Sequence, residues 1–247
     1  DLRSSAARHE SSTLSSPTKM HNLQYAYLIG GLFWLVIWVV LFVFRKDLRK
    51  AMLLVSLLST PLGPISQFFY TRDYWRPILF NGWIVGLEDL VFAFSIGGIA
   101  AVSSKIFKKG RYVTGGWNSY IKTSIVMAII GLVWMLVGNL IMGINSMYVS
   151  ATGLILGGTI TLFMRRDLIK DAFAGGVVVS LLFLLSYRLF FLRLFPGIIE
   201  EWWFLENISG FLVSGVPIEE ILWGFTWGFL AAPFYEFVRG EKFIATK

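Results

Sequence analysis

Seven stretches of this chain are apolar enough, and long enough, to cross a lipid bilayer as helices, which limits the fold before any single residue is considered. They run roughly over 24–44, 51–70, 82–104, 122–143, 149–164, 171–192 and 211–236. In hydrocarbon every backbone N–H and C=O needs a partner within the protein, so an apolar run of about 20 residues reads as a helix. The expected fold class is therefore all-α and integral to the membrane, with seven transmembrane helices in one bundle. Composition agrees: 56% of residues are hydrophobic, 15% are charged and mean hydropathy is +0.68, far from a soluble globular average.

The same composition narrows the chemistry. There is no cysteine, which excludes disulfides, thiolate catalysis and cysteine metal sites. His9 and His21 precede the first span, so no histidine metal site is expected in the membrane, and no cofactor is expected either. The net charge of +7 follows topology rather than a nucleic-acid partner. Fifteen basic residues, among them Arg45, Lys46, Lys108, Lys109, Arg165, Arg166 and Lys242, fall on one side; six fall on the other. The positive-inside rule then puts the N-terminus outside and the C-terminus in the cytoplasm, with the basic face against anionic lipid. Residues 1–19 are rich in Ser and Thr, lack an apolar run and precede Met20. They read as a disordered leader or an expression remnant rather than a signal peptide.

Two segments repeat one another, and each sets a pair of carboxylates in an apolar helix. Gly86-Leu87-Glu88-Asp89-Leu90-Val91-Phe92 aligns without a gap on Pro217-Ile218-Glu219-Glu220-Ile221-Leu222-Trp223, and the match continues to Ala101 and Ala232. Arg45-Lys46-Asp47-Leu48-Arg49-Lys50 likewise aligns on Arg165-Arg166-Asp167-Leu168-Ile169-Lys170; the second copy is longer by the loop around Pro196 to Phe204. The expected organisation is a parallel 3+1+3 repeat: 20–110 holds spans one to three, 111–147 is a linker with span four, and 148–247 holds spans five to seven. Pro61 and Pro64 predict a kink in span two, where Ser66 and Gln67 satisfy freed backbone groups or line a cavity.

Acidic groups inside a membrane are expensive and are kept mainly for a task. The candidate catalytic residues are Glu219, Glu88, Glu220 and Asp89. Adjacent helical residues point about 100° apart, so one carboxylate from each helix is expected to face a shared site. The Glu88 face carries Phe92 and Ser95, and the Glu219 face carries Trp223 and Thr226; Phe94, Phe225 and Trp227 complete the candidate substrate-binding set. A carboxyl in an apolar pocket is hard to ionise and a second one nearby makes it harder, so one acid can protonate an alkene while its partner stabilises the cation and removes a proton. Aromatic faces add cation–π attraction. The structural alternatives are interhelical hydrogen bonding, or pairing of Glu88 or Glu219 with Arg188. For the aromatics they are packing and interfacial belts, Trp75, Trp83, Trp202 and Trp203 especially. Asn139 reads as interhelical glue, and Gly97, Gly98 and Gly228 as close helix contacts.

On these residues the chain resembles the integral-membrane lycopene cyclase domain family, the small-subunit and fused cyclases unrelated to the flavin-dependent ones. Pro217-Ile218-Glu219-Glu220-Ile221-Leu222-Trp223 carries the resemblance, echoed by Gly86-Leu87-Glu88-Asp89 and supported by Asp73-Tyr74-Trp75 and Trp202-Trp203. It covers nearly everything after Met20, with both copies in one chain, whereas some members split them into two subunits. The resemblance implies conversion of the linear ends of lycopene into β-ionone rings through γ-carotene to β-carotene. A proton is added, the ring closes and a proton is lost, with no net redox change. The family's Pro-x-Glu-Glu acid site maps onto Glu219 and Glu220; the first copy has Gly86 and Asp89 at the proline and second glutamate. The seven-helix plan also resembles microbial rhodopsins, but residues 211–236 contain no lysine to hold retinal. Expected partners are a lipid-soluble polyene and membrane lipids. A non-catalytic protein binding or transporting an isoprenoid or an ion is the alternative, and Glu219→Gln and Glu88→Gln are each expected to abolish cyclisation if the chain is an enzyme.

Overall fold

The computed structural model describes residues 23–246 except 115 and 117, so the leader read over 1–19, with His9 and His21, lies outside the described residues. Helices dominate. The main ones are α1 (Ala26–Phe44), α2 (Arg49–Ser59), α3 (Leu62–Asp73), α4 (Leu87–Val102), α5 (Ile121–Met135), α6 (Ser146–Met164), α7 (Ile169–Ser186), α8 (Ile198–Trp202), α9 (Ile218–Ala231) and α10 (Phe234–Arg239). Four short strands accompany them: β1 (Gly110–Thr114), β2 (Leu212–Val213), β3 (Val216–Pro217) and β4 (Glu241–Ala245).

Among the described residues, five helical segments are long and apolar enough to cross a membrane: Ala26–Phe44, Leu87–Lys105, Ile121–Ile141, Ser146–Met164 and Arg166–Leu194. A sixth forms if α2, with the turn before it, and α3 count as one span bent by 47°. That bend falls at Thr60 and Pro61, where the proline pair anticipated it. The seventh expected span, 211–236, does not form as one helix. Ser214 and Gly215 take positive φ in a tight turn joining β2 to β3. Helix begins only at Ile218 and breaks before Phe234, at Pro233. The 14 residues of α9 rise only about 21 Å, short of a hydrocarbon core of about 30 Å. Hydropathy averaged over the segment does not register such a turn or break.

Two close helix pairings organise the interior, α4 on α2 and α9 on α7. Gly97 of α4 lies where a Cβ would meet the Ser59 side chain and the Val55 carbonyl; Gly228 of α9 lies where one would meet the Gly175 carbonyl and Val179. Bulk alternates between the pairings. Trp38 of α1 lies over Gly98 and donates to Ser56 Oγ at 2.9 Å, whereas Phe229 of α9 lies over Gly158 of α6. Outside this core the surface is itself apolar: the Ile121–Ile141 span is only 11% buried and exposes Ile125, Ile129, Val133 and Leu140. So large an apolar exterior suits lipid, not water.

The end remote from the acidic motifs is tied by polar contacts. β1 pairs antiparallel with β4, Tyr112 opposite Phe243. Arg45 pairs with Asp47 and donates to the Lys105 carbonyl at 3.0 Å; Arg165 pairs with Asp167 and donates to the Glu236 carbonyl at 3.1 Å. Between them Lys105 Nζ sits 2.7 Å from Glu236 Oε1, with the lysine side chain 1% exposed and the glutamate 0%.

Candidate active site

The acidic residues of each motif open a helix, where unpaired backbone N–H groups favour negative charge. Asp89 is fully buried, and its Oδ2 accepts from Gly86 N at 2.8 Å, closing the first turn of α4. Glycine has no side chain to reciprocate, so this is half of a capping box. The other oxygen, Oδ1, accepts from Tyr27 Oη at 2.9 Å and from Gln67 Nε2 at 2.6 Å. Glu220 is held by three side chains from distant parts of the chain. Its Oε1 accepts from Tyr74 Oη and, at 2.9 Å, from Trp203 Nε1, while Oε2 accepts from Tyr187 Oη at 3.0 Å.

Glu88 and Glu219 do different work. Glu88 Oε1 accepts from Phe80 N at 2.8 Å, and Glu219 Oε1 accepts from Ser209 N at 2.9 Å and Tyr148 Oη at 2.9 Å. Each thus anchors the loop that leads into its own helix. Glu219 Oε2 is buried without a hydrogen-bond partner, beside an open groove lined by Tyr148, Ser180 and Phe225. Arg188 is exposed, and no ion pair reaches any of these four acids among the described residues.

One cavity of about 50 Å³ lies at this end of the bundle. Glu220 is the one carboxylate among its lining residues, and all three of its donors line the same space. Tyr27 and Tyr70 add hydroxyls; Trp34, Phe92, Phe183 and Trp223 add aromatic faces. Ring centroids are 5.4 Å apart for Phe183 and Trp223, and 6.4 Å for Phe92 with either. Trp223 is further oriented by its Nε1, which donates to Tyr70 Oη at 3.0 Å.

Of the expected site residues, the cavity gathers Glu220, Phe92 and Trp223, and reaches Asp89 through Tyr27. The others lie elsewhere. Phe94 packs on Trp38, and the Ser95 and Thr226 hydroxyls donate to the Val91 and Trp223 carbonyls of their own helices. Phe225 packs on Phe229 at the groove, and Trp227 stacks behind Trp223 at 5.9 Å. In each pair the second acid is the one tied to the cavity: Glu220 lines it, and Asp89 meets its wall through the Tyr27 hydroxyl. Trp202 and Trp203, read as belt residues, are buried at 3% and 4%, and with Trp75 they wall the cavity; Trp83 is exposed. Tyr27 and Tyr187 carried no signal in the sequence beyond being tyrosines near span ends. Asn139 fits its expected role, donating to Asp73 Oδ2 at 2.6 Å. No group of side chains suited to a metal occurs among the described residues.

Comparison with known families bears on the half that holds Glu220. Residues 145–238 match the lycopene cyclase family model. This supports a lycopene cyclase domain spanning Tyr148, Tyr187, Trp203, Glu219, Glu220 and Trp223, and carotenoid cyclisation as the general activity. The apolar helices and the match together support a membrane protein. No curated protein and no solved structure matches the chain.

Proposed function

We propose that this chain is a membrane carotenoid cyclase that closes the linear ends of lycopene, or a related isoprenoid, into β-ionone rings by acid–base carbocation chemistry. The observation that carries the reading is Glu220, a carboxyl on the wall of an aromatic cavity within the matched segment. The protonated acid adds its proton to the terminal double bond, the next double bond closes on the cation, and loss of a proton completes the ring. No electrons are gained or lost, so the reaction needs no redox cofactor. Phe92, Phe183 and Trp223 face the developing cation with their π-systems, an attraction worth about 2 kcal/mol when desolvated. Asp89 is the second acid of the site, acting from behind Tyr27. The cavity of about 50 Å³ is far below the roughly 300–1,000 Å³ of ligand pockets, so a polyene end enters by displacing aromatic side chains.

The architecture we propose is two copies of a three-pass unit, 20–110 and 148–247, joined through 111–147. The equivalent surroundings of Gly97 and Gly228, the matching Arg45 and Arg165 contacts, and the facing of Tyr112 and Phe243 support it. In this reading α9 and α10 form a short, broken seventh pass. The basic residues favour an outside N-terminus and a cytoplasmic C-terminus.

Expression in lycopene-accumulating cells, followed by chromatography of the pigments, tests the activity. Monocyclic and then bicyclic product is the expected outcome. Unchanged lycopene with the protein present in the membrane overturns it, and bound pigment without product favours a non-catalytic carrier.

A further inference from the structure

Two carboxylate networks reach the cavity, and they share no hydrogen bond. Glu220 is surrounded by Tyr74, Tyr187 and Trp203; Asp89 is surrounded by Tyr27, Gln67 and the Gly86 amide. Asp89 is not itself on the cavity wall. Tyr27 is, and its hydroxyl donates straight to Asp89 Oδ1. The Tyr27 ring is fixed edge-on against Trp75 at 5.2 Å and lies 6.1 Å from Phe92. Asp89 is equally fixed, because Gln67 holds the same oxygen and Gly86 the other. A phenol backed by a buried carboxylate and facing an apolar cavity is arranged to accept a proton on oxygen while passing its own onward.

We propose that Tyr27, backed by Asp89, ends the reaction by taking the proton that the ring cation loses, a role that rests on the cyclase reading above. The C–H bond next to the cationic carbon breaks and its electron pair becomes the ring double bond. The proton goes to Tyr27 Oη, and the original Tyr27 proton moves to Asp89 Oδ1. Glu220 is left as a carboxylate and Asp89 as an acid. One proton lost from Asp89 to water and one gained by Glu220 from water restore the starting state. Separating the two groups lets the fixed position of Tyr27 decide which C–H bond is broken, and hence which ring isomer forms.

The test uses the full chain in liposomes loaded with lycopene in deuterated water, reading product isomers and deuterium content by chromatography and mass spectrometry. Tyr27→Phe should still deliver deuterium to the ring, because Glu220 is intact. The β-ring share should fall about tenfold or more, replaced by other double-bond isomers or by ring alcohols from water capture. Asp89→Asn, which keeps the side-chain shape, should give the same shift. An unchanged isomer ratio, whether at full rate or with all products falling together, overturns the proposal. If Tyr27→Phe fails to accumulate, a wild-type isomer ratio in Asp89→Asn overturns it alone. A wild-type chain that forms no ring at all overturns the cyclase reading itself, and this proposal with it.

Discussion

Glu219 and Glu220 are chemically identical neighbours in very different surroundings. Glu220 meets tyrosine and tryptophan donors on the cavity wall; Glu219 meets the Ser209 amide and Tyr148 beside an open groove. Glu220→Gln removes the one carboxyl among the described residues of the wall, and on the cyclase reading product formed per unit of membrane protein should fall by about 10²–10⁴-fold. Glu219→Gln keeps an oxygen for Tyr148 and Ser209. It should hold cyclisation within about tenfold of wild type while costing about 1 kcal/mol of stability in thermal unfolding. The acids themselves were legible in the sequence, because a carboxyl in an apolar helix is expensive. Which member of the pair faces the site was not, since Trp223 lies at i+4 from Glu219 and at i+3 from Glu220, and both spacings share a face. The choice is made by Tyr74, Tyr187 and Trp203, which reach Glu220 from far along the chain.

At the scale of helices, close approach governs. The Gly228 position leaves no room for a side chain against the Gly175 carbonyl, so Gly228→Val forces α9 away from α7. Overpacking of this kind costs about 1–3 kcal/mol, read as a lower unfolding temperature in detergent. Because α9 carries Glu220 and Trp223, product formation should fall with it. The glycines were legible as contacts, and the bend near Pro61 as a kink, because both are local backbone chemistry. The last span was misread for the complementary reason. Its residues are apolar enough, but Ser214-Gly215 and Pro233 set backbone geometry that hydropathy does not measure. Short helix and hairpin there let the 209–217 segment fold back over Glu219.

For the molecule as a whole, one contact between distant parts of the chain is an ion pair buried on both sides, Lys105 with Glu236. Lys105→Met leaves the glutamate uncompensated and should destabilise by about 3–5 kcal/mol. The double exchange Lys105→Glu with Glu236→Lys restores opposite charges at near-equivalent positions, and should recover much of that loss in the same unfolding assay. Neither partner was legible as a pair, since the sequence placed one at the end of span three and the other at the end of span seven with nothing to say that they touch. The cavity at the other end has an optical consequence as well. Trp34, Trp75, Trp202, Trp203 and Trp223 all line it, half of the chain's 10 tryptophans. In the cyclase reading, a polyene end seated among them packs against five indoles, and the conjugated chain behind it comes close enough to quench their emission. Tryptophan fluorescence should therefore dim as the cavity fills, in Glu220→Gln as in wild type, so that the arrival of the polyene can be timed separately from the closing of its ring.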